Sequence, residues 1–184
     1  MKTSFLITIV LLVSSCIPLS IAPRIETDKV KIGRKFKRSL PNQYSFIFED
    51  PKNANEFYDF INAKFDLDFD LVDANVPFMV DSIPYALSFY EVEKVDRSIN
   101  LVPILIDASL NAEDNDPMMQ ELYTSRNGHW YIVLTVIDEE LTDCLAPSYK
   151  QRDAVVRYLR ALRDEYLSTS DYEIAFLRNQ LVKP

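Results

Sequence analysis

Only two glycines, Gly33 and Gly128, serve 184 residues, where ordinary usage is about 7%. Glycine enters the left-handed backbone region without steric cost and lets a backbone approach a ligand closely. Loops that cradle phosphate need several glycines for both reasons, so a P-loop or a dinucleotide fingerprint is excluded. The G-x-S-x-G turn that presents a nucleophilic serine is also missing. No nucleotide and no cofactor is expected. Hydrophobic residues make up 48% of the chain, enough to bury a core, so the chain is globular rather than disordered.

Formal net charge is -8, and it is distributed unevenly. From Ile17 to Arg38 seven basic residues face two acids, a net charge of +5. From Ser39 onward 12 Lys and Arg face 26 Asp and Glu, a net charge of −14. Phosphate contacts would have to come from the basic stretch alone, so nucleic acid is not an expected partner.

The N-terminus, MKTSFLITIVLLVSSC, places Lys2 ahead of an apolar run from Phe5 to Val13. That run is shorter than the ~20 residues of a membrane-spanning helix, and its layout is that of an export signal. Val13-Ser14-Ser15-Cys16 resembles the lipobox of bacterial lipoproteins: an aliphatic residue, two small residues and a cysteine. The resemblance implies cleavage before Cys16 and acylation of its thiol with diacylglycerol. It also implies a mature protein lipid-anchored in the bacterial cell envelope, facing outside the cytoplasm. Signal cleavage after Ala22 and retention as an uncleaved anchor are the alternatives. Pro23 after the cut opposes the first, and the short apolar run opposes the second. The expected organisation is a signal peptide over 1–15, a lipidated cysteine and basic flexible tether over 16–43, and a single acidic globular domain over 44–184. The positive tether either favours anionic headgroups or is only a solvated spacer.

Tyr44–Asp50 predicts a first strand, and Asp50-Pro51 a helix cap followed by proline at the first helical position. Phe57, Phe60, Ile61 and Phe65 recur at helical spacing, giving a helix to about Lys64. Phe65, Leu67, Phe69 and Leu71 then alternate with Asp66, Asp68 and Asp70, the period of a half-buried strand. Strand, helix and strand in this order suggest a right-handed crossover. Asp73–Pro84 reads as irregular, with bends at Pro77 and Pro84. Tyr85–Val95 and Ile99–Ala108 read as strands joined into an antiparallel hairpin by Asp96-Arg97-Ser98. Asn111–Pro117 is an acidic loop, and Met118–Tyr123 reads equally as one helical turn or a short strand. Asn127-Gly128 is a tight turn. His129–Asp138, apolar on both alternating sets, is a central strand covered on both faces. Ser148–Leu167 is an amphipathic helix with Val155, Tyr158, Leu159, Leu162 and Tyr166 on one face and Arg157, Arg160, Arg163 and Asp164 on the other. Ser170 and Glu173 open a final helix with a capping-box pattern. The expected fold class is α+β: a mixed, mostly antiparallel sheet of about five strands, with an N-terminal crossover helix and two C-terminal helices packed on it.

The catalytic candidates are Asp66, Asp68, Asp70 and His129, each set against a structural alternative. The three aspartates match the early acidic positions of an EF-hand, but the required glycine is Leu71 and the closing glutamate is Pro77, so a calcium loop is rejected. On one strand face neighbouring members would lie ~6.5–7 Å apart, a spacing compatible with two acids flanking a bond. Acid–base work also needs their pKa values pushed apart, which an all-aspartate face in water does not do. Such a face is otherwise solvated or paired with basic groups, Arg157, Arg160 and Arg163 being the candidates. His129 is the only histidine, so a serine or cysteine triad would have to use it. The alternative is that it ends its strand or packs beside Trp130. Zinc-ligand spacing is absent, and no metal is expected. Cys144 is expected as a buried small apolar residue.

The resulting expectation is a membrane-anchored lipoprotein, held through lipid on Cys16, whose acidic domain binds a partner outside the cytoplasm. That partner is a basic envelope or toxin protein. The alternatives are a carboxylate-dependent hydrolase of an envelope or extracellular polymer, and an immunity-type lipoprotein that blocks a toxin.

Overall fold

The computed structural model describes residues 16–52, 55–100 and 124–170. The expected signal peptide, residues 101–108 of the Ile99–Ala108 strand, the Asn111–Pro117 loop, Met118–Tyr123 and the final helix lie outside the described residues. Six strands are described: β1 (Cys16–Ser20), β2 (Lys29–Ile32), β3 (Tyr44–Asp50), β4 (Val76–Val80), β5 (Ile83–Asn100) and β6 (Thr124–Ile137). Three helices accompany them: α1 (Gly33–Phe36), α2 (Glu56–Phe65) and α3 (Arg152–Ser168). The strands hydrogen-bond in the order β1-β5-β6-β3-β2, and β4 also pairs with β5. The β1/β5, β2/β3, β3/β6 and β4/β5 ladders are antiparallel. The fold is α+β, a mostly antiparallel curled sheet with helices.

The chain forms two compact units, one of Arg24–Val92 with the residues from Trp130 onward, the other of the residues through Pro23 with Glu93–His129. In the larger unit, Tyr131 to Val136 of β6 are buried without a break, as a strand covered on both faces requires. One face belongs to the main core, where Ile132, Leu134 and Val136 join Phe46 and Phe48 of β3, Phe57 and Ile61 of α2, and Val155, Leu159 and Tyr166 of α3. Phe57 sits at the centre of that core, its ring 4.9 Å from those of both Phe89 and Tyr166, edge to face. Burying one such side chain contributes about 1.5–3 kcal/mol.

The residues after Pro23 correct the expectation of a flexible tether. Lys29, Val30, Lys31 and Ile32 pair in turn with Ile47, Phe46, Ser45 and Tyr44 of β3, and Ile25, Phe36 and Leu40 are buried. Phe36 meets the ring of Tyr131 edge on at 5.2 Å. This segment has no apolar period because it crosses the sheet as a short strand and a single helical turn, each too brief to show one. Asp28 fastens it to α3, with Arg163 Nη1 at 2.7 Å and Arg160 Nε at 3.0 Å.

Five further expectations are corrected. Residues 66–74 are turns, not a strand, so no crossover follows α2; the next strand, β4, lies in the stretch read as irregular and pairs antiparallel with β5. Pro77 and Pro84 sit within that ladder, opposite Ala86 and Met79. Helix α2 begins at Glu56 rather than at Pro51, and Asp50 instead accepts the Lys52 amide at 3.1 Å. Asp96-Arg97-Ser98 is not a joint but part of the unbroken β5, with Arg97 opposite Ser20 and Ser98 opposite Pro18. Asn127-Gly128 lies inside β6, and Gly128 does not take positive φ. In both cases a polar stretch of turn-like composition continues a strand.

Candidate functional site

Helix α2 ends at the aspartate run. Asp66 takes the left-handed conformation at the helix C-cap, and Asp68, Phe69 and Leu71 follow it with positive φ. The buried Asn62 organises the turn, its carbonyl oxygen accepting the Leu67 amide at 3.2 Å and its side-chain oxygen accepting the Phe69 amide at 2.8 Å. Val72 is buried, whereas Leu71 is 66% and Phe69 39% exposed. The apolar residues of the run therefore do not share one face, which defeats the period-two reading. Asp66, Asp68, Asp70 and Asp73 are all exposed. Arg160 and Arg163 bond to Asp28 rather than to these carboxylates. The loop thus offers four acids to solvent, with two apolar side chains among them.

His129 and Cys144 lie in separate surroundings. In the smaller unit His129 Nε2 is 3.2 Å from Asp96 Oδ2, and the Ala22 amide donates to the other oxygen of Asp96. That amide, with His129, holds the Asp96 carboxyl below the usual range. His129 lies within β6, five residues after Thr124, rather than at a strand start. Cys144 is fully buried in the larger unit, and burial pushes its thiol up to about 11. A protonated, inaccessible thiol is not a nucleophile. An open depression of about 340 Å³ in the smaller unit is lined by Ile21, Ala22, Glu93, Val95 and Arg97, among others.

A cluster absent from the sequence reading gathers at the ends of β3 and α3. The Tyr166 hydroxyl lies 3.0 Å from each Asp50 carboxylate oxygen. The Lys52 ammonium sits 4.7 Å from the centre of the Tyr166 ring and donates to the Thr169 carbonyl. Burial raises the Asp50 carboxyl above its ordinary range, against the lowering by the Lys52 amide and Tyr166. Burial also raises Glu91 of β5, helped by repulsion from Asp50 and opposed by the Asn55 amide. Burial raises the Tyr166 hydroxyl too, keeping it a neutral donor. Two acids whose protonation burial favours are chemically suited to general-acid work. Their bonds are also structural: Asp50 ties β3 to α3, and Glu91 receives an amide at the start of α2. No sequence spacing announces this cluster, because β3, β5 and α3 bring its members together.

Among the described residues, no group of three or more His, Cys, Asp or Glu side chains is arranged to hold a metal ion. No described helix is long and apolar enough to cross a membrane. No protein-family model, no curated protein and no solved structure matches this chain.

Proposed function

We propose that this chain is a membrane-anchored lipoprotein of the bacterial envelope, whose acidic domain binds a basic protein outside the cytoplasm. The observation that carries the reading is the Val13-Ser14-Ser15-Cys16 motif behind a short apolar run. The binding role is supported by the loop at 66–73, where exposed Asp66, Asp68, Asp70 and Asp73 surround exposed Phe69 and Leu71. Charge at a rim steers a partner of opposite sign, and apolar groups at the centre supply the area that is desolvated on contact.

Two experiments test it. Cys16→Ser should abolish incorporation of labelled fatty acid and release the protein from the membrane fraction; persistence of both refutes the anchor. Affinity capture from detergent-solubilised envelope should yield a stoichiometric basic partner. The triple change of Asp66, Asp68 and Asp70 to Asn should weaken that capture at least tenfold, about 1.4 kcal/mol. A toxin as the captured protein would make the role one of immunity. The half-buried acids Asp50 and Glu91 favour hydrolysis as a second reading. It gains the upper hand if no partner is captured and Glu91→Gln abolishes cleavage of an envelope polymer.

A further inference from the structure

The residue on which the anchor is placed belongs to a strand. Cys16 is the first residue of β1, and its register partner is Asn100 of β5. Ile17, Pro18 and Ser20 pair in turn with Ile99, Ser98 and Arg97. The Ser20 hydroxyl donates to the Val95 carbonyl at 2.7 Å, and the Ala22 amide donates to Asp96. From Cys16 to Ala22, then, the backbone is fastened to β5 without an intervening free stretch.

We infer that the smaller unit is mounted directly on the membrane surface, β1 acting as a rigid strut, and that its partner surface there is the lipid headgroup layer. This inference rests on acylation of Cys16. A coil of the length expected for 16–43 spreads its ends roughly 30 Å apart. Paired strands place Asn100 about 5 Å from the acylated residue, and Arg97 is only about 10 Å further along β5. The side chains that this arrangement brings to the surface suit it. Leu19 is 58% and Ile21 74% exposed, and the same region carries Lys94 and Arg97, with one acid, Glu93, beside Ile21 at the open depression. At most ~3.6 Å per residue keeps Leu19 within about 11 Å and Ile21 within about 18 Å of the acylated cysteine, closer than the ends of a free 16–43 coil.

The test uses the full-length acylated protein in vesicles of phosphatidylethanolamine and phosphatidylglycerol that contain a headgroup-labelled quencher lipid. Arg97→Cys supplies the fluorophore site, because Cys16 is acylated and Cys144 is buried. A second version carries a twelve-residue Gly-Ser insertion between Cys16 and Ile17, adding roughly 20 Å of r.m.s. reach. Fatty-acid labelling is read for both proteins, and equal melting temperatures establish that both are folded. Strong quenching that falls at least about twofold with the added reach supports the mount. Acylated proteins with weak quenching, or quenching that the insertion leaves unchanged, overturn the mount and leave the anchor standing. Absence of fatty acid on Cys16 overturns the anchor itself, and the mount with it.

Discussion

At Asp81 and Ser82 the chain reverses between β4 and β5 with φ of 51° and 64°. Such a turn favours Asn-Gly, since both central residues are left-handed. With glycine so scarce, other residues take these conformations: nine described non-glycine residues have positive φ, and five of them are Asn or Asp, the side chains that tolerate it best. Ser82 is not among those five, and Ser82→Gly should stabilise the protein by about 1 kcal/mol in denaturant unfolding. The two glycines themselves make opposite predictions. A Cβ at Gly33 would lie 2.8 Å from Ser45 Oγ and 3.0 Å from the Pro41 carbonyl oxygen, so Gly33→Ala should cost about 2 kcal/mol. At Gly128 the same Cβ would meet only the end of the Glu93 side chain, which can move. Gly128→Ala should therefore change stability by less than about 0.5 kcal/mol; a larger loss would restore the turn expected there.

The elements were legible where a long period met a buried face. β3 runs from Tyr44 to Asp50, as its apolar and aromatic run predicts. The apolar face of α3 appears as expected, with Val155, Leu159, Leu162 and Tyr166 buried. On its other face two of the arginines offered as partners for the aspartate run take a different acid. Arg163 is largely covered, its side chain 11% exposed, and pairs with Asp28, whose side chain is 6% exposed. Loss of Asp28 leaves the covered Arg163 with only its exposed neighbour Asp164, so Asp28→Ala should lower stability by about 2 kcal/mol. The accompanying signal should be faster amide exchange across β2, because Asp28 is what joins that strand's approach to the helix. An unaltered melting temperature would show that the segment holds by apolar burial alone. Nothing in the sequence marks Asp28 for this role: its arginines lie more than a hundred residues away.

For the whole molecule, acidity and burial set how stability responds to pH. The half-buried carboxyls Asp50 and Glu91 both have folded values above their ordinary range. A raised value means that the folded state holds the proton more tightly. The resulting stability is complete below the unfolded acid values of about 4 and is lost as pH rises through the folded ones. Glu91→Gln keeps an acceptor for the Asn55 amide and removes the charge. It should be more stable than the parent at pH 7 and converge with it at pH 3; an equal gap at both pH values would sink this account. The α+β class is a property of local composition and period, and the sequence by itself determined it, while the proposed address rests on the Val13-Ser14-Ser15-Cys16 motif alone. The aspartate run shows the limit of that reasoning, because alternation predicts a strand only if a sheet is there to accept it. Asn62 instead bonds the Leu67 and Phe69 amides and curls the run into an exposed loop. The fastening of residues 16–40, the Asp50–Tyr166 cluster and the covered Asp28 were likewise decided only by tertiary structure. Each depends on pairings between residues far apart in the chain, and such pairings leave no period to read.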